Sequence, residues 1–171
     1  MKRFARLAAS LAAIVTTPIV MWASPAAAHA DPGQIPPGWT ALRNYQSGLC
    51  LHAAPARHTV NLRYCYEGPL ETWYLAYVVT LNGRSYYQIR AAAIRGSGCL
   101  RDDEAASAYG SDAVNYLPCD NSYNRETLWT FVLIDVGWEI KNRATGLCLT
   151  YDAGSNAIST RCDGNRAEQW Q

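Results

Sequence analysis

Cysteine, histidine and acidic residues are the side chains of this chain that could do chemistry. Six cysteines could bind a metal or form disulfides, His52 and His58 could transfer protons, and the acidic run at 102–104 could bind calcium through carboxylate oxygens. The cysteines do not form the paired C-x-x-C knuckles of a zinc site, and an ordinary charged surface loop explains the acidic run better than calcium does. The residue types therefore predict no metal and no cofactor.

Catalytic motifs are absent from the sequence. It contains neither the G-x-S-x-G turn of a serine hydrolase nor the H-E-x-x-H pair of a zinc protease. The carboxylates are scattered, and their spacing selects no pair for acid–base work. We therefore expect a protein that is not an enzyme.

The N-terminal segment is typical of a secretory signal peptide. Lys2, Arg3 and Arg6 form a positive start, an apolar run follows, and the small residues Ala28-His29-Ala30 give an A-x-A cleavage site. A membrane anchor is the other interpretation, but the cleavage site follows closely and no second apolar stretch of about 18 residues appears. The sequence predicts that residues 1–30 are removed and that the protein is secreted to the extracellular space, where cysteines oxidise.

The remaining residues, 31–171, are enough for one domain with a substantial core. Their twelve basic and fourteen acidic residues give a net charge of −2, so we expect neither nucleic-acid binding nor insertion into a membrane. Eleven of the twelve bases are arginine, which together with frequent alanine favours a GC-rich bacterial gene.

Three copies of one unit organise this part of the chain. "SGLCL", "SGCL" and "TGLCL" place a first cysteine at intervals of 49 residues, and each copy continues with a second cysteine and then a tryptophan. The three sets are Cys50, Cys65 and Trp73; Cys99, Cys119 and Trp129; and Cys148, Cys162 and Trp170. Segments rich in aromatic and β-branched residues, such as "WYLAYVV", predict β-strands throughout. Three units are too few for a β-propeller but fit a small closed barrel with a threefold pseudo-axis.

The repeated pattern resembles the ricin B-type lectin domain from Trp39 to Trp170, which implies a β-trefoil of three four-stranded repeats. The repeats would span about 39–80, 84–136 and 137–171, after a proline-rich segment at 31–38. The resemblance also implies one disulfide within each repeat and a tryptophan from each in the barrel core. Each disulfide would stabilise the fold by roughly 3 kcal/mol. The implied pairs are Cys50–Cys65, Cys99–Cys119 and Cys148–Cys162.

The sugar-binding residues that the family uses are largely replaced. In the family, an Asp follows Cys-Leu, an aromatic residue lies two before the second cysteine, and Asn and Gln lie three and two before the tryptophan. Here the Asp position holds His52, Arg101 and Thr150, and the aromatic position holds Arg63, Leu117 and Thr160. The Asn position holds Leu70, Glu126 and Ala167, and the Gln position holds Glu71, Thr127 and Glu168. No repeat keeps the complete set.

Partial substitutes predict candidate carbohydrate-binding residues in each repeat. Hydroxyl-binding carboxylates and amides and a stacking aromatic ring are the groups such a site needs. Asp102 lies one residue late, so on a regular strand it would face the opposite side, although a turn could restore it. The candidates are His52, Asn61, Tyr64 and Glu71 in the first repeat, Asp102, Asn115 and Tyr116 in the second, and Tyr151, Asp152 and Glu168 in the third.

The third repeat ends at Trp170-Gln171, so its last strand should be short. A partner chain or the segment Asp31–Trp39 could cover the gap in the barrel, but Trp170 plugging the barrel is the favoured expectation. The resemblance implies a secreted, non-catalytic module that binds a glycan or polysaccharide, alone or as the targeting subunit of an exported assembly. The alternative is a subunit of a secreted complex that binds protein on a trefoil scaffold and has lost sugar binding.

Overall fold

The computed structural model describes residues 37–54, 59–94, 98–102, 112–119 and 124–171. Outside these residues lie the predicted signal peptide at 1–30, residues 31–36 of the proline-rich segment, and Asp103 and Glu104 of the acidic run. The described part is built from β-strands and short 3-10 turns, which confirms the all-β prediction. No helix in it is long and apolar enough to cross a membrane.

Twelve strands fall into three sets of four within the described residues. The first repeat contains β1 (Gly38–Ala41), β2 (Cys50–Ala54), β3 (Thr59–Arg63) and β4 (Thr72–Leu81). The second contains β5 (Arg84–Ala91), β6 (Gly98–Asp102), β7 (Asp112–Pro118) and β8 (Trp129–Ile134). The third contains β9 (Gly137–Asn142), β10 (Cys148–Tyr151), β11 (Ala157–Thr160) and β12 (Gln169–Trp170). The 3-10 turns are Ala92–Ile94, Arg125–Thr127 and Arg166–Glu168.

The first and fourth strands of the repeats form a barrel. Antiparallel pairing runs from β1 to β4, β5, β8, β9 and β12 in that order. The barrel closes where the short β12 meets the chain after β1: Arg43 N donates to Gln171 O at 3.0 Å, and Gln171 N donates to Arg43 O at 2.8 Å. The last strand is as short as expected, and it pairs with its neighbours on both sides over the residues it has.

Three tryptophans fill the barrel interior, as the sequence predicts. Trp73, Trp129 and Trp170 are each 0% exposed. Each indole Nε1–H donates to the carbonyl oxygen of the leucine in its own Cys-Leu motif, at 2.9 Å in the first two repeats and 3.0 Å in the third. This bond satisfies the buried indole nitrogen and ties the barrel to the hairpin above it.

The middle two strands of each repeat form a hairpin, and the three hairpins β2–β3, β6–β7 and β10–β11 cap one end of the barrel. One disulfide lies within each repeat, in the three predicted pairs Cys50–Cys65, Cys99–Cys119 and Cys148–Cys162.

Successive side chains of a strand point to opposite faces. Because the leucine of each Cys-Leu motif is buried in the core, the next residue faces outward. The hairpins therefore carry the outward-facing residues of any site.

Candidate functional site

The outward face of each hairpin brings the same two positions together. The residue after Cys-Leu lies opposite the residue four before the second cysteine, because the hairpin register pairs them directly. The pairs are His52 with Asn61, Arg101 with Asn115, and Thr150 with Ile158. These are the positions at which the predicted sugar site is built.

In the first repeat, His52, Asn61 and Glu71 form one polar group. His52 Nε2 lies 3.7 Å from Glu71 Oε1. The other ring nitrogen, His52 Nδ1, and the amide oxygen Asn61 Oδ1 are buried and have no hydrogen-bond partner among the described residues. Two neighbouring polar atoms are thus held beneath the surface without a partner, which is uncommon in a folded protein.

An open cleft of about 340 Å³ borders this group. Asn61, Arg63 and Tyr64 line it from the first repeat, and Gly154 and Ser155 line it from the third. Tyr64 is 72% exposed, so its ring is available to a ligand. The structure therefore brings together the predicted residues Asn61 and Tyr64, and it adds Arg63, which was not among the predicted site residues.

The far wall of the cleft is a hydrogen-bonded turn at 152–156. Asn156 donates to both carboxylate oxygens of Asp152, through its backbone N at 2.8 Å and its side-chain amide at 2.9 Å. The side-chain bond from Asn156 is the largest cause that lowers the pKa of Asp152. Leu62 N donates to Ser155 O at 2.7 Å, which fixes the turn against β3. Asp152 therefore braces the wall, and both of its oxygens already accept hydrogen bonds.

In the second repeat, Arg101 and Glu126 form an ion pair across the positions where the family carries Asp and Asn. Arg101 Nε and Asn115 Oδ1 are buried without a hydrogen-bond partner among the described residues. Asn115 was predicted, but Arg101 and Glu126 were not. The sequence does contain a sign of this pair: a positive and a negative residue stand at two positions that belong to the same sugar site in the family. The side chain of Tyr116 lies outside what the structure describes.

Asp102 faces away from this group. β6 continues through Asp102 without a turn, so the residue points to the opposite side from Arg101, and it is 0% exposed. Thr145 Oγ1 donates to its Oδ2 at 2.6 Å, and Ser159 Oγ donates to its Oδ1 at 2.7 Å. These hydrogen bonds join the second repeat to the third, so Asp102 stabilises the contact between the two repeats.

The third repeat has no comparable group in the part that the structure describes. Thr150 Oγ1 donates to Ala167 O at 3.0 Å, and its cross-strand partner Ile158 is apolar. The predicted residue Tyr151 is half-buried and packs against the core. At the positions where the other two repeats have unpaired polar atoms, the third repeat thus has a hydrogen-bonded threonine and an apolar isoleucine.

Glu168 and Glu71, which replace the family's Gln, support turns. Asp163 N and Gly164 N each donate to Glu168 Oε2 at 3.0 Å, and Gly68 N donates to Glu71 Oε2 at 3.1 Å. Glu168 is 0% exposed, and its carboxyl has a raised pKa, for which burial is the largest cause; the two backbone bonds act in the opposite direction. Both predicted residues thus hold the chain just before the barrel tryptophan.

Hydrogen bonding to a polar ligand is the chemistry that these groups offer. Among the described residues, one set of potential metal ligands lies close together: Glu139, Cys148 and Glu168. Cys148 is part of a disulfide, so its sulfur is not a thiolate that could bind a metal.

Comparisons with known proteins agree with this architecture. None of the curated proteins matches the chain in sequence. Among solved structures, the designed threefold-symmetric protein ThreeFoil is similar at a TM-score of 0.65 and 22% identity, over 78% of this chain and 96% of that one. The Rhizoctonia solani agglutinin is similar at a TM-score of 0.65 and 14% identity, over 82% of this chain and 97% of that one.

An enzyme also contains this fold. The exo-β-1,3-galactanase 1,3Gal43A from Clostridium thermocellum is similar at a TM-score of 0.64 and 17% identity over 78% of this chain, but the match covers only 29% of the enzyme. At these identities the likeness shows the β-trefoil fold alone. The model of the ricin-type β-trefoil lectin domain matches residues 38–170, nearly all of the described chain. This chain therefore belongs to the ricin-type β-trefoil lectin domain family.

Proposed function

We propose that this protein is a secreted glycan-binding module without a catalytic step of its own, and that it binds through the hairpins of the first and second repeats. One observation carries the proposal. Four buried polar atoms without a partner, His52 Nδ1, Asn61 Oδ1, Arg101 Nε and Asn115 Oδ1, occupy the matching outward positions of these two repeats. The third repeat has none at its matching positions.

Sugar hydroxyls suit these unpaired atoms. A hydroxyl group both donates and accepts, so a single ring can pair with an amide oxygen and with a guanidinium or imidazole nitrogen. A buried polar atom without a partner costs about 1–3 kcal/mol, and a ligand that supplies the partner recovers that cost. The exposed ring of Tyr64 offers the apolar face against which the C–H side of a sugar packs. Two weak sites on one domain would together bind a repeating polysaccharide more tightly than either alone.

Secretion is the second part of the proposal. The positive start, apolar run and A-x-A site of residues 1–30 support export. The three disulfides support an oxidising compartment, because the cytosol keeps most thiols reduced. Expression in a bacterial host followed by intact-mass measurement of the culture medium tests this, since the exported chain should begin at Asp31. Retention of the uncleaved chain in the cell would contradict it.

A glycan array tests sugar binding, and one position in three repeats supplies a matched set of variants. Asn61→Ala and Asn115→Ala remove the amide in the first and second repeats, while Ile158→Ala changes the same position in the third. We expect each asparagine variant to lose part of the array signal, the double variant to lose nearly all of it, and Ile158→Ala to keep it. Melting curves would confirm that each variant is folded.

Two results would contradict the proposal. If the folded wild type binds no glycan on a broad array but co-purifies with a protein from its native culture medium, the alternative of a protein-binding trefoil replaces it. If the wild type binds glycans and Ile158→Ala alone weakens binding, the site lies in the third repeat and the assignment from unpaired atoms is wrong.

A further inference from the structure

We infer that the cleft of the first repeat selects a sugar that carries a carboxylate, such as a uronic acid or a sialic acid, and that Arg63 binds this group. The inference rests on the proposed function, because it names the class of glycan for one of the two proposed sites. It starts from a difference in charge between them.

Arg63 brings a free positive charge to the cleft. It ends β3, is exposed, and lines the cleft between Asn61 and Tyr64. Among the described residues, no carboxylate lies within ion-pair distance of its guanidinium. A guanidinium presents a planar fork of donors that matches the two oxygens of a carboxylate, and such paired bonds are stronger than bonds between neutral groups.

The polar group of Arg101, Asn115 and Glu126 in the second repeat contains no such free charge. Its cation, Arg101, is already paired with Glu126, so the two charges compensate each other. Two acids near the cleft are occupied by other contacts: Glu71 of the first repeat approaches His52 and accepts from Gly68 N, and Asp152 of the third repeat accepts bonds from Asn156 at both of its oxygens. None of the residues that line the cleft is acidic. An acidic sugar thus meets an unpaired cation in the first repeat and a neutralised one in the second.

The rest of the cleft suits a pyranose ring. Its volume of about 340 Å³ lies in the range of small-ligand sites. Asn61 and Ser155 supply hydroxyl-binding groups on opposite walls, and the exposed Tyr64 ring lies next to Arg63 in the chain. A ring held by these groups can place its carboxylate toward Arg63 while its C–H face packs on the tyrosine.

Matched ligands that differ only in the carboxylate test the inference. We would measure binding of the full exported protein by isothermal titration with a β-glucuronide against the corresponding β-glucoside, and with sialyllactose against its carboxyl methyl ester. We expect the acidic member of one pair to bind at least about tenfold more tightly than its neutral partner, which corresponds to about 1.4 kcal/mol. The pair that responds identifies the source of the carboxylate.

Variants then assign the preference to Arg63. Arg63→Gln should bind the acidic and neutral members equally, and Arg63→Lys should keep part of the preference because it retains the charge without the fork. Arg84→Gln, at the start of β5, removes an exposed arginine that does not line the cleft and should leave the preference unchanged.

Each outcome decides between the two proposals. Equal binding of the acidic and neutral members by the wild type overturns the inference and leaves glycan binding in place. A preference that survives in Arg63→Gln also overturns it, because the charge would then act from elsewhere. Failure of every sugar on a broad array, with a folded protein, overturns the proposed function itself.

Discussion

Replacing Asp102 with alanine separates a structural role from a ligand-binding role. Its carboxylate is 0% exposed and accepts hydrogen bonds from Thr145 and Ser159 of the third repeat. A hydrogen bond to a charged group contributes about 1.5–3 kcal/mol, so the loss of two predicts destabilisation by about 3 kcal/mol or more. For a domain of this size that corresponds to a fall in melting temperature of roughly 10 °C.

Urea unfolding at neutral pH with the disulfides intact measures this free energy directly. Asp135→Ala, an exposed acid in the turn between β8 and β9, is the matched control and should stay within about 0.5 kcal/mol of wild type. The folded Asp102→Ala protein should keep its glycan affinity to within about twofold. If the free energy of unfolding of Asp102→Ala changed by less than about 1 kcal/mol and glycan binding were lost, our view that Asp102 joins two repeats would be refuted. Asp102 would then be a sugar ligand.

Three further predictions follow from the contacts around the barrel and the cleft. Because burial raises the pKa of Glu168, its carboxyl favours the folded state most at pH values below its unfolded-state pKa and loses that stability as pH rises through the folded-state value. The wild type should therefore lose stability as pH rises, whereas Glu168→Gln should not. The melting temperature of the variant minus that of the wild type should increase from about pH 4 to about pH 8, and a difference that stays constant would contradict this. Trp129→Phe removes the indole bond to the carbonyl of Leu100, so calorimetry should show that the free energy of unfolding falls by about 1–3 kcal/mol, and a neutral effect would mean that the indole bond is dispensable. Tyr64→Ala should leave stability within about 0.5 kcal/mol because the ring is exposed, yet it should weaken glycan binding several-fold in titration; unchanged affinity would remove the ring from the site.

The repeated motif predicted the fold because it encodes covalent and core contacts. One cysteine pair and one tryptophan in each repeat fix where the hairpin is stapled and where the barrel is filled, and the structure confirms all three disulfides and all three buried indoles. These features are local to each repeat, so the family resemblance that the repeated motif carries was enough to imply them.

The site was harder to predict because it depends on direction and on contacts between repeats. Asp102 was a candidate by residue type, but strand alternation turns it inward, one position away from the outward-facing Arg101. Glu168 was a candidate by alignment, but the backbone of the preceding turn uses its carboxylate. The cleft joins Tyr64 with Ser155, which are 91 positions apart, and no local pattern reveals that contact.

A titration of labelled protein with a glycan selected from the array, followed by NMR of the side-chain amides, tests the central claim most directly. Asn61 and Asn115 lie at the proposed sites, and Gln169 of the third repeat serves as an internal reference. With a neutral glycan or with an acidic one, we expect the amide signals of Asn61, Asn115 or both to move with added sugar while that of Gln169 stays in place. If neither asparagine signal moves when the protein is saturated with the glycan, the proposed sites in the first and second repeats are contradicted.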